Sequence, residues 1–331
     1  MFSFIIPVFN RPDEIEELLE SISNQKYNEP FEVVVVEDGS TIKCDSVIGK
    51  FKSSLQISYY FKPNSGPGDS RNFGMKVAKG DYFLILDSDC ILPANYLLEV
   101  ATHLKTNFSH CFGGPDKALD SFSHVQKAIN FSMTSFLTTG GIRGGSENIT
   151  KFQPRSFNMG LSKEAFLASN GFGNIHPGED PDLAIRLWKL GYETQLISSA
   201  FVYHKRRIDW RKFYIQVNKF GKARPILNHW YPEYKKVTFW LPSFFLIGFV
   251  FSLVLLIFNF PILFFIYVFY FVLLFFTALS NTKSLSIALL SLQATAIQFY
   301  GYGTGFTLSY WRINLNKLKP ENAFPELFFK R

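Results

Sequence analysis

The sequence has few cysteines, and they lie far apart. Cys44, Cys90 and Cys111 are the three cysteines of a 331-residue chain, and their spacing matches no Cys-based metal site. This usage argues against a disulfide framework and suits a reducing compartment such as the cytosol. The N-terminal segment also lacks the basic region and the small-residue cleavage site of a secretory signal, so we expect no signal peptide there.

Charge is missing from much of the last third of the chain. No Asp, Glu, Lys or Arg lies between Lys236 and Lys283, and this run is long enough for two membrane-spanning helices of about 20 residues each. Pro261 separates them, because proline ends one helix and suits the start of the next. The run predicts a transmembrane hairpin at about 238–258 and 262–280. A buried core helix is the alternative, but core helices are rarely so long and so uniformly apolar.

A second uncharged run covers residues 284–311. Gln293, Gln298 and the glycine-rich stretch YGYGTG make this run a poor membrane span. The basic tail at 312–331 prefers the cytoplasm, which a third full span after a hairpin would contradict. We therefore favour a re-entrant or interfacial segment at about 285–308, with a third span as the alternative.

Positive charge is concentrated just before the first uncharged run. Between Lys205 and Lys236, ten Lys and Arg residues stand against two acidic residues, so this stretch accounts for the whole net charge of +7. Its position predicts a cytoplasmic face and favours anionic membrane lipids over nucleic acid as partners. Aromatic residues alternate with the cations, which predicts a basic amphipathic segment at 206–236 lying on the membrane surface. We expect an integral protein of the inner or plasma membrane whose N-terminal domain faces the cytoplasm.

Residues 1–205 are predicted to form an α/β domain. The segments SFIIPVF, FEVVVVED, LQISYYF and DYFLILD have the composition of buried strands, and helical patterns lie between them. Alternating strands and helices predict a mostly parallel, Rossmann-like sheet that binds ligands at the carboxyl ends of its strands. The polar clusters PVFN, EDGS and DSD each follow a strand, so we expect them to share one edge of the sheet.

Asp87 and Asp89 stand one residue apart at the end of the fourth predicted strand. Two carboxylates in that position repel each other and lose hydration, which requires a compensating interaction. Mg²⁺ or Mn²⁺ supplies one, because such ions bind through one or two carboxylates together with substrate phosphates. A polar turn, where Asp is common, is the alternative interpretation.

Five motifs then occur in a fixed order: PVFN, EDGS, KPNSGPGDSRNFG, LDSDCILP and GEDPDLAIRL. Over residues 2–205 this order resembles that of glycosyltransferase family 2, whose fold is GT-A. The resemblance implies a nucleotide-sugar donor, usually a UDP-sugar, and a divalent cofactor, Mn²⁺ or Mg²⁺. It also implies that one sugar is transferred with inversion at its anomeric carbon.

The resemblance assigns donor binding to nine positions. Glu37 and Asp38 match the acidic pair that binds base and ribose, and carboxylates can accept hydrogen bonds from both. Arg71 can pair with the donor diphosphate, although a structural ion pair is the alternative. The nine positions are Pro7, Asn10, Glu37, Asp38, Asn64, Arg71, Asp87, Asn158 and Gly160.

The resemblance also assigns the reacting groups. Asp89 and Asp87 are the expected metal ligands, with His204 as a further candidate that can equally be structural. Glu179 and Asp180 match the catalytic acidic pair, in which Asp180 is the general base that removes the acceptor proton. The same segment has the pattern of an acidic helix start, where Asp180 acts as a cap.

The basic segment and the apolar run together favour a lipid-linked saccharide as acceptor. Three other functions stay open. A processive membrane synthase is the alternative within the family, but the Gln-x-x-Arg-Trp signature of such enzymes is missing. A sugar-phosphate nucleotidyltransferase would need a Gly-x-Gly-x-Arg loop after the first strand, and a catalytically silent scaffold would not need Asp87, Asp89 and Asp180 together. The glycine-rich stretch at 136–155 is predicted to be either a lid over the site or a disordered loop.

Overall fold

The structure is a computed structural model that describes residues 1–140, 151–205 and 209–329. The chain divides into two compact units. The first comprises Met1–Lys117, Ser146–His204 and Phe328–Arg331, and the second comprises Ala118–Gly145 and Lys205–Leu327.

The described strands all belong to the first unit and are numbered along the chain. They are β1 (Phe2–Val8), β2 (Phe31–Asp38), β3 (Ile57–Lys62), β4 (Tyr82–Leu86), β5 (Cys90–Ile91), β6 (Cys111–Gly113), β7 (Asp116–Lys117), β8 (Asn158–Ser162), β9 (Thr194–Leu196) and β10 (Val202–His204). Seven of them form a sheet in the order β3-β2-β1-β4-β8-β6-β9, in which β8 alone runs antiparallel to its neighbours. The strands β5, β10 and β7 form a second, small sheet.

The described helices are numbered in the same way. In the first unit they are α1 (Pro12–Ser23), α2 (Asp45–Phe51), α3 (Pro67–Val77), α4 (Tyr96–Thr106), α7 (Lys163–Ser169) and α8 (Glu179–Lys189). In the second unit they are α5 (His124–Thr134), α6 (Phe136–Thr139), α9 (Trp210–Trp230), α10 (Leu241–Ile257), α11 (Ile262–Thr282), α12 (Leu285–Tyr310) and α13 (Pro320–Ala323). Short 3₁₀ turns at Pro232–Tyr234, Val237–Trp240 and Pro325–Leu327 and a π turn at Trp311–Leu315 complete the described helical structure.

The main sheet forms because its central strands are apolar on both faces. The four valines of β2 are buried, with Val33 and Val35 in one core cluster and Val34 and Val36 in the other. The strands β1, β2 and β4 run parallel, so Val8, Asp38 and Leu86 end them at one edge. The prediction of a mostly parallel, Rossmann-like sheet with flanking helices is confirmed.

The uncharged run forms the two helices expected of it. Within the described residues, Val237–Ile257 and Ile262–Thr282 have the length and composition of membrane spans, and few of their side chains are buried. Two long apolar helices of this kind indicate membrane association by length and composition alone.

The second uncharged run does not form a re-entrant segment, and an interfacial segment or a third span stays a prediction. It forms one continuous helix, α12, without the break that a re-entrant segment needs. Its glycines allow close approach to α9: a Cβ at Gly301 would lie 2.5 Å from Val217 Cγ2, and one at Gly305 would lie 2.3 Å from the Asn218 carbonyl oxygen. Small residues at helix interfaces permit such backbone contact in membranes and in water alike. The glycines therefore serve helix packing.

Two further differences concern the chain's organisation. Phe213 and Val217 of α9, expected at the lipid boundary, are buried in a cluster with Ile129 and Met133 of α5. Because α5 packs its apolar face there, Ala118–Gly145 groups with the second unit, whereas the sequence places the domain boundary at 205.

Replacing Gly305 by alanine should destabilise the second unit. The added Cβ would meet a backbone oxygen that cannot rotate away, and we expect a loss of about 1–3 kcal/mol. Thermal unfolding of the detergent-purified protein measures it. Gly49→Ala is the matched control, because nothing lies within 4 Å of its Cβ position in α2. Equal melting temperatures for the two variants would contradict the close packing.

Candidate functional site

The guanidinium of Arg71 connects two acidic elements of the site. Nη2 donates to Asp87 Oδ1 at 2.7 Å, and Nη1 donates to Glu179 Oε1 at 3.2 Å. Arg71 is 3% exposed. Burial alone would lower its pKa, but the charges of Asp87 and Glu179 outweigh burial and raise it, so the side chain stays protonated. The end of β4 and the start of α8 are thereby held together.

Glu179 and Asp180 are neighbours in the first turn of α8, yet their environments differ. Burial favours the neutral form of Glu179. The charge and hydrogen bond of His176 and the charge of Arg71 outweigh burial, and together they lower the pKa of Glu179 to about 2. The His176 Nδ1 atom lies 2.7 Å from Glu179 Oε1. Burial, reinforced by the negative charge of Glu179, raises the pKa of Asp180 to about 6. A carboxylate with a pKa this close to neutrality can act as a general base.

Asp89 and His204 form the centre of a candidate metal site. His204 Nε2 lies 3.1 Å from Asp89 Oδ1, and each of these side chains is 12% exposed. Ligand atoms of Asp89, Cys90 and His204 all lie within 4.8 Å of one another. The imidazole also stacks on Phe157, with ring centroids 4.6 Å apart. A carboxylate and an imidazole fit Mn²⁺, whereas the Cys90 thiol donates to the Phe157 carbonyl oxygen at 3.3 Å.

Asp38 and Asn64 organise the loop between β3 and α3. Asp38 Oδ1 accepts from Lys62 Nζ at 2.6 Å and from the Ser65 amide at 2.9 Å, and Oδ2 accepts from the Gly66 amide at 2.9 Å. Asn64 Nδ2 donates to the Asp38 carbonyl oxygen at 2.8 Å. Asp38 thus fixes the loop that leads into α3.

Asn10 organises a second loop at the same edge. It lies just beyond β1 with φ of 54°, and its Oδ1 accepts from the amides of Thr41 and Ile42 at 2.8 and 2.9 Å. Its own amide donates to Ser40 Oγ at 2.8 Å. Pro7 is half-buried near the end of β1. These contacts join the PVFN and EDGS motifs, as expected from their positions after parallel strands.

Glu37, a predicted donor-binding residue, has hydrogen-bond partners within the protein. It is fully buried, and its Oε2 accepts hydrogen bonds from the Cys44 amide at 3.1 Å and from the Tyr59 hydroxyl. Because side chains alternate along β2, Glu37 and Asp38 point to opposite faces of the sheet. The contact of both acids with the donor stays a prediction.

Asn158 and Gly160, also predicted to contact the donor, lie in β8 of the main sheet. Asn158 is fully buried in β8, where it accepts from Tyr96 Oη at 2.7 Å and donates to the Ala200 carbonyl oxygen at 2.8 Å. A Cβ at Gly160 would lie 2.0 Å from the Phe112 ring. Both residues therefore contribute to packing within the sheet, and their contact with the donor stays a prediction.

His176, which contacts Glu179 directly, is not identifiable as a site residue from the sequence. Its only sequence signal is a polar residue three positions before an acidic helix start. Phe157 is not identifiable either, since nothing in the sequence indicates which ring stacks on His204. Residues 141–150 of the predicted lid lie outside the described residues.

Asp180→Asn should stabilise the protein at neutral pH. The pKa of Asp180 is raised from 3.8 to about 6 by folding, so its ionised form opposes folding once the pH exceeds about 4. We expect a gain of about 1–2 kcal/mol above pH 6, discounted for partial exposure, that disappears below pH 4. Thermal unfolding of both proteins across this pH range, with chelator present, measures the gain. A pH-independent difference would contradict the assignment.

Comparisons with known proteins point to one family of enzymes. Residues 3–167, about half of the chain, match the family model described as glycosyl transferase family 2. An uncharacterized glycosyltransferase of Rickettsia bellii is 40% identical over 111 residues, which are 33% of this chain and 16% of that protein. The poly(ribitol-phosphate) β-N-acetylglucosaminyltransferase TarS of Staphylococcus aureus is 34% identical over 111 residues, 33% of this chain and 19% of TarS. The chain thus spans less than a fifth of the length of these relatives.

Solved structures share the fold at low sequence identity. A mannosyltransferase from Pyrobaculum calidifontis, in complex with GDP-Man and Mn²⁺, matches with a TM-score of 0.56 and 17% identity over 96% of this chain and 88% of its own. Residues 1–349 of S. aureus TarS in complex with UDP-GlcNAc match with a TM-score of 0.51 and 18% identity over 95% and 92% of the two chains. Motif order, family model and GT-A fold agree, and the chain belongs to glycosyltransferase family 2.

Proposed function

We propose that this protein is an inverting, metal-dependent glycosyltransferase. It transfers one sugar from a nucleotide sugar, which we propose to be a UDP-sugar, to a lipid-linked or cell-surface polysaccharide acceptor. The observation that carries the proposal is the pair Glu179 and Asp180, in which one carboxyl stays ionised and the other is tuned towards neutral pH. Arg71 ties this pair to Asp87, at the end of the strand that leads to the candidate metal site.

Asp180 acts as the general base. It accepts the proton of the acceptor hydroxyl while that oxygen bonds to the anomeric carbon and the bond from this carbon to the donor phosphate oxygen breaks. Glu179 remains ionised, and its charge makes Asp180 more basic. Placement at the first turn of α8 also allows both acids to benefit from the positive helix end.

Asp89 and His204, with Asp87 nearby along the chain, would hold the divalent ion. When bound, the ion neutralises charge on the departing nucleoside diphosphate. Mn²⁺ is favoured over Mg²⁺, because a nitrogen ligand suits Mn²⁺ better than the strictly oxygen-seeking Mg²⁺. The presence of Mn²⁺ in the P. calidifontis mannosyltransferase complex supports this choice.

The acceptor is proposed from the second unit and from the relatives. The exposed apolar helices α10 and α11 and the basic α9 suit a protein embedded in the inner or plasma membrane, with its first unit facing the cytoplasm. TarS is named for transfer to poly(ribitol-phosphate). A hyaluronan synthase of Pasteurella multocida, 25% identical over 236 residues, is named for polymer synthesis, which keeps the processive alternative open.

Release of nucleoside diphosphate tests the proposal. Detergent-purified protein is supplied with UDP- and GDP-sugars, native membrane lipids as acceptor source, and Mn²⁺, Mg²⁺ or chelator. One donor should be consumed, fastest with Mn²⁺. We expect Asp180→Asn to lower release at least about 100-fold and Asp89→Ala to lower it about 10- to 100-fold.

Asp81→Asn is the matched control. Asp81 precedes β4 at the end opposite to Asp87, and its side chain is 80% exposed, so release should not change. Donor binding without turnover in any condition would favour the catalytically silent scaffold. Products that carry several added sugars per acceptor would favour the processive synthase.

The pH dependence of transfer provides a separate test. Since Asp180 acts as a base with a pKa of about 6, kcat/KM should fall about tenfold per pH unit below that value and level off above it. Initial rates at fixed Mn²⁺ between pH 4.5 and 8 measure the profile. An inflection near pH 4, the ordinary value for Asp, would contradict the raised pKa that burial and the Glu179 charge give Asp180.

A further inference from the structure

The last described residues, Phe328 and Phe329, pair with the loop that precedes α8. Phe328 forms an antiparallel bridge with Ile175, and the Phe329 amide donates to the Asn174 carbonyl oxygen at 3.2 Å. We call Phe328 and Phe329 the tail pair. It belongs to the first unit, although it follows directly on Leu327 of the second.

The Phe329 ring has a fitted position beside the site. It lies against Gly66, where a Cβ would be 2.4 Å from the ring, and Gly66 has a φ of 95° that favours glycine. On another side its centroid is 6.1 Å from that of the His176 imidazole. The ring therefore packs between the start of α3 and the loop before α8.

The first half of this loop has its own support from α3. Asn72 Nδ2 donates to the Phe172 carbonyl oxygen at 2.9 Å, and Asn72 Oδ1 accepts from the Phe172 amide at 2.8 Å. The tail pair supports the second half, at Asn174 and Ile175. The two supports together fix the approach to His176.

His176 transmits this support to the acidic pair. Its side chain is 41% exposed, and its Nδ1 lies 2.7 Å from Glu179 Oε1. An imidazole so exposed has other rotamers available to it when no neighbour restricts it. We propose that Phe329 is a positioning residue for sugar transfer: it holds His176 against Glu179, and so fixes the carboxylate beside the base Asp180. This inference rests on the proposed glycosyltransferase function.

A double-mutant cycle distinguishes this role from general packing. Phe329→Ala should lower kcat about tenfold with the donor KM unchanged, because misplacement of a supporting group affects the reacting geometry more than donor binding. His176→Ala should cause a loss of similar size. The double variant should be no worse than His176→Ala alone, since both substitutions break one connection. Phe329→Leu, which keeps most of the side-chain volume, should recover most of the lost kcat.

Phe61→Ala is the control for loss of an aromatic ring. Phe61 is 48% exposed on β3 of the same unit and contacts Lys43, so kcat should stay at the parent value. Losses that multiply in the double variant would show that Phe329 and His176 act independently, which overturns the proposal. A raised donor KM with normal kcat would overturn it as well.

Hydrogen–deuterium exchange tests the same connection without any transfer assay. In Phe329→Ala, amides of residues 171–178 should exchange faster than in the parent, while those of β4 should not change. Unchanged exchange at 171–178 overturns the inference whatever the protein catalyses. Faster exchange in a protein that turns over no donor would support the positioning contact and count against the proposed function alone.

Discussion

The buried charge of Arg71 is the constraint on which the site depends. Removing a guanidinium from water costs several kcal/mol, which only close, hydrogen-bonded carboxylates offset. Asp87 and Glu179 provide them from elements that are far apart in sequence. The three residues thus fix one another: each acid is held in place by the cation, and the cation is tolerated because of both acids. The end of β4 and the start of α8 cannot separate without exposing an unpaired charge.

The order of the polar clusters along the chain is partly explained by the contacts around this ion pair. Asp38 accepts hydrogen bonds from Ser65 and Gly66, and these residues directly precede the helix α3 that carries Arg71. A carboxyl in the EDGS cluster therefore acts on the site through the backbone of a loop. Asn10 likewise accepts a hydrogen bond from the loop backbone, at the Thr41 amide. Many polar side chains at this edge of the sheet bind the backbone of loops. Fewer of them face a substrate.

The sheet, its polar edge and the two apolar helices can be predicted from the sequence, because they follow from local patterns of strand composition, periodicity and run length. Such patterns fail where a side chain's partner lies far away in the chain. Asn158 bonds to Tyr96 and Ala200, which no local pattern reveals. The glycines of α12 pack closely against α9, a contact that the sequence alone does not indicate. The opposite environments of Glu179 and Asp180 likewise depend on His176 and Arg71 in three dimensions.

The small sheet has a consequence for the choice of ion. His204 pairs directly with Cys90 in the β5–β10 ladder, and Asp89 is the residue before Cys90. Backbone hydrogen bonds, rather than two flexible side chains on separate loops, therefore set the distance between the carboxylate and the imidazole. A ladder of this kind adjusts little, so the ion proposed for this site would be selected by radius as well as by ligand preference. An ion as large as Ca²⁺ would have to stretch the ladder to enter, so the strand pairing itself would limit the radius of the bound ion.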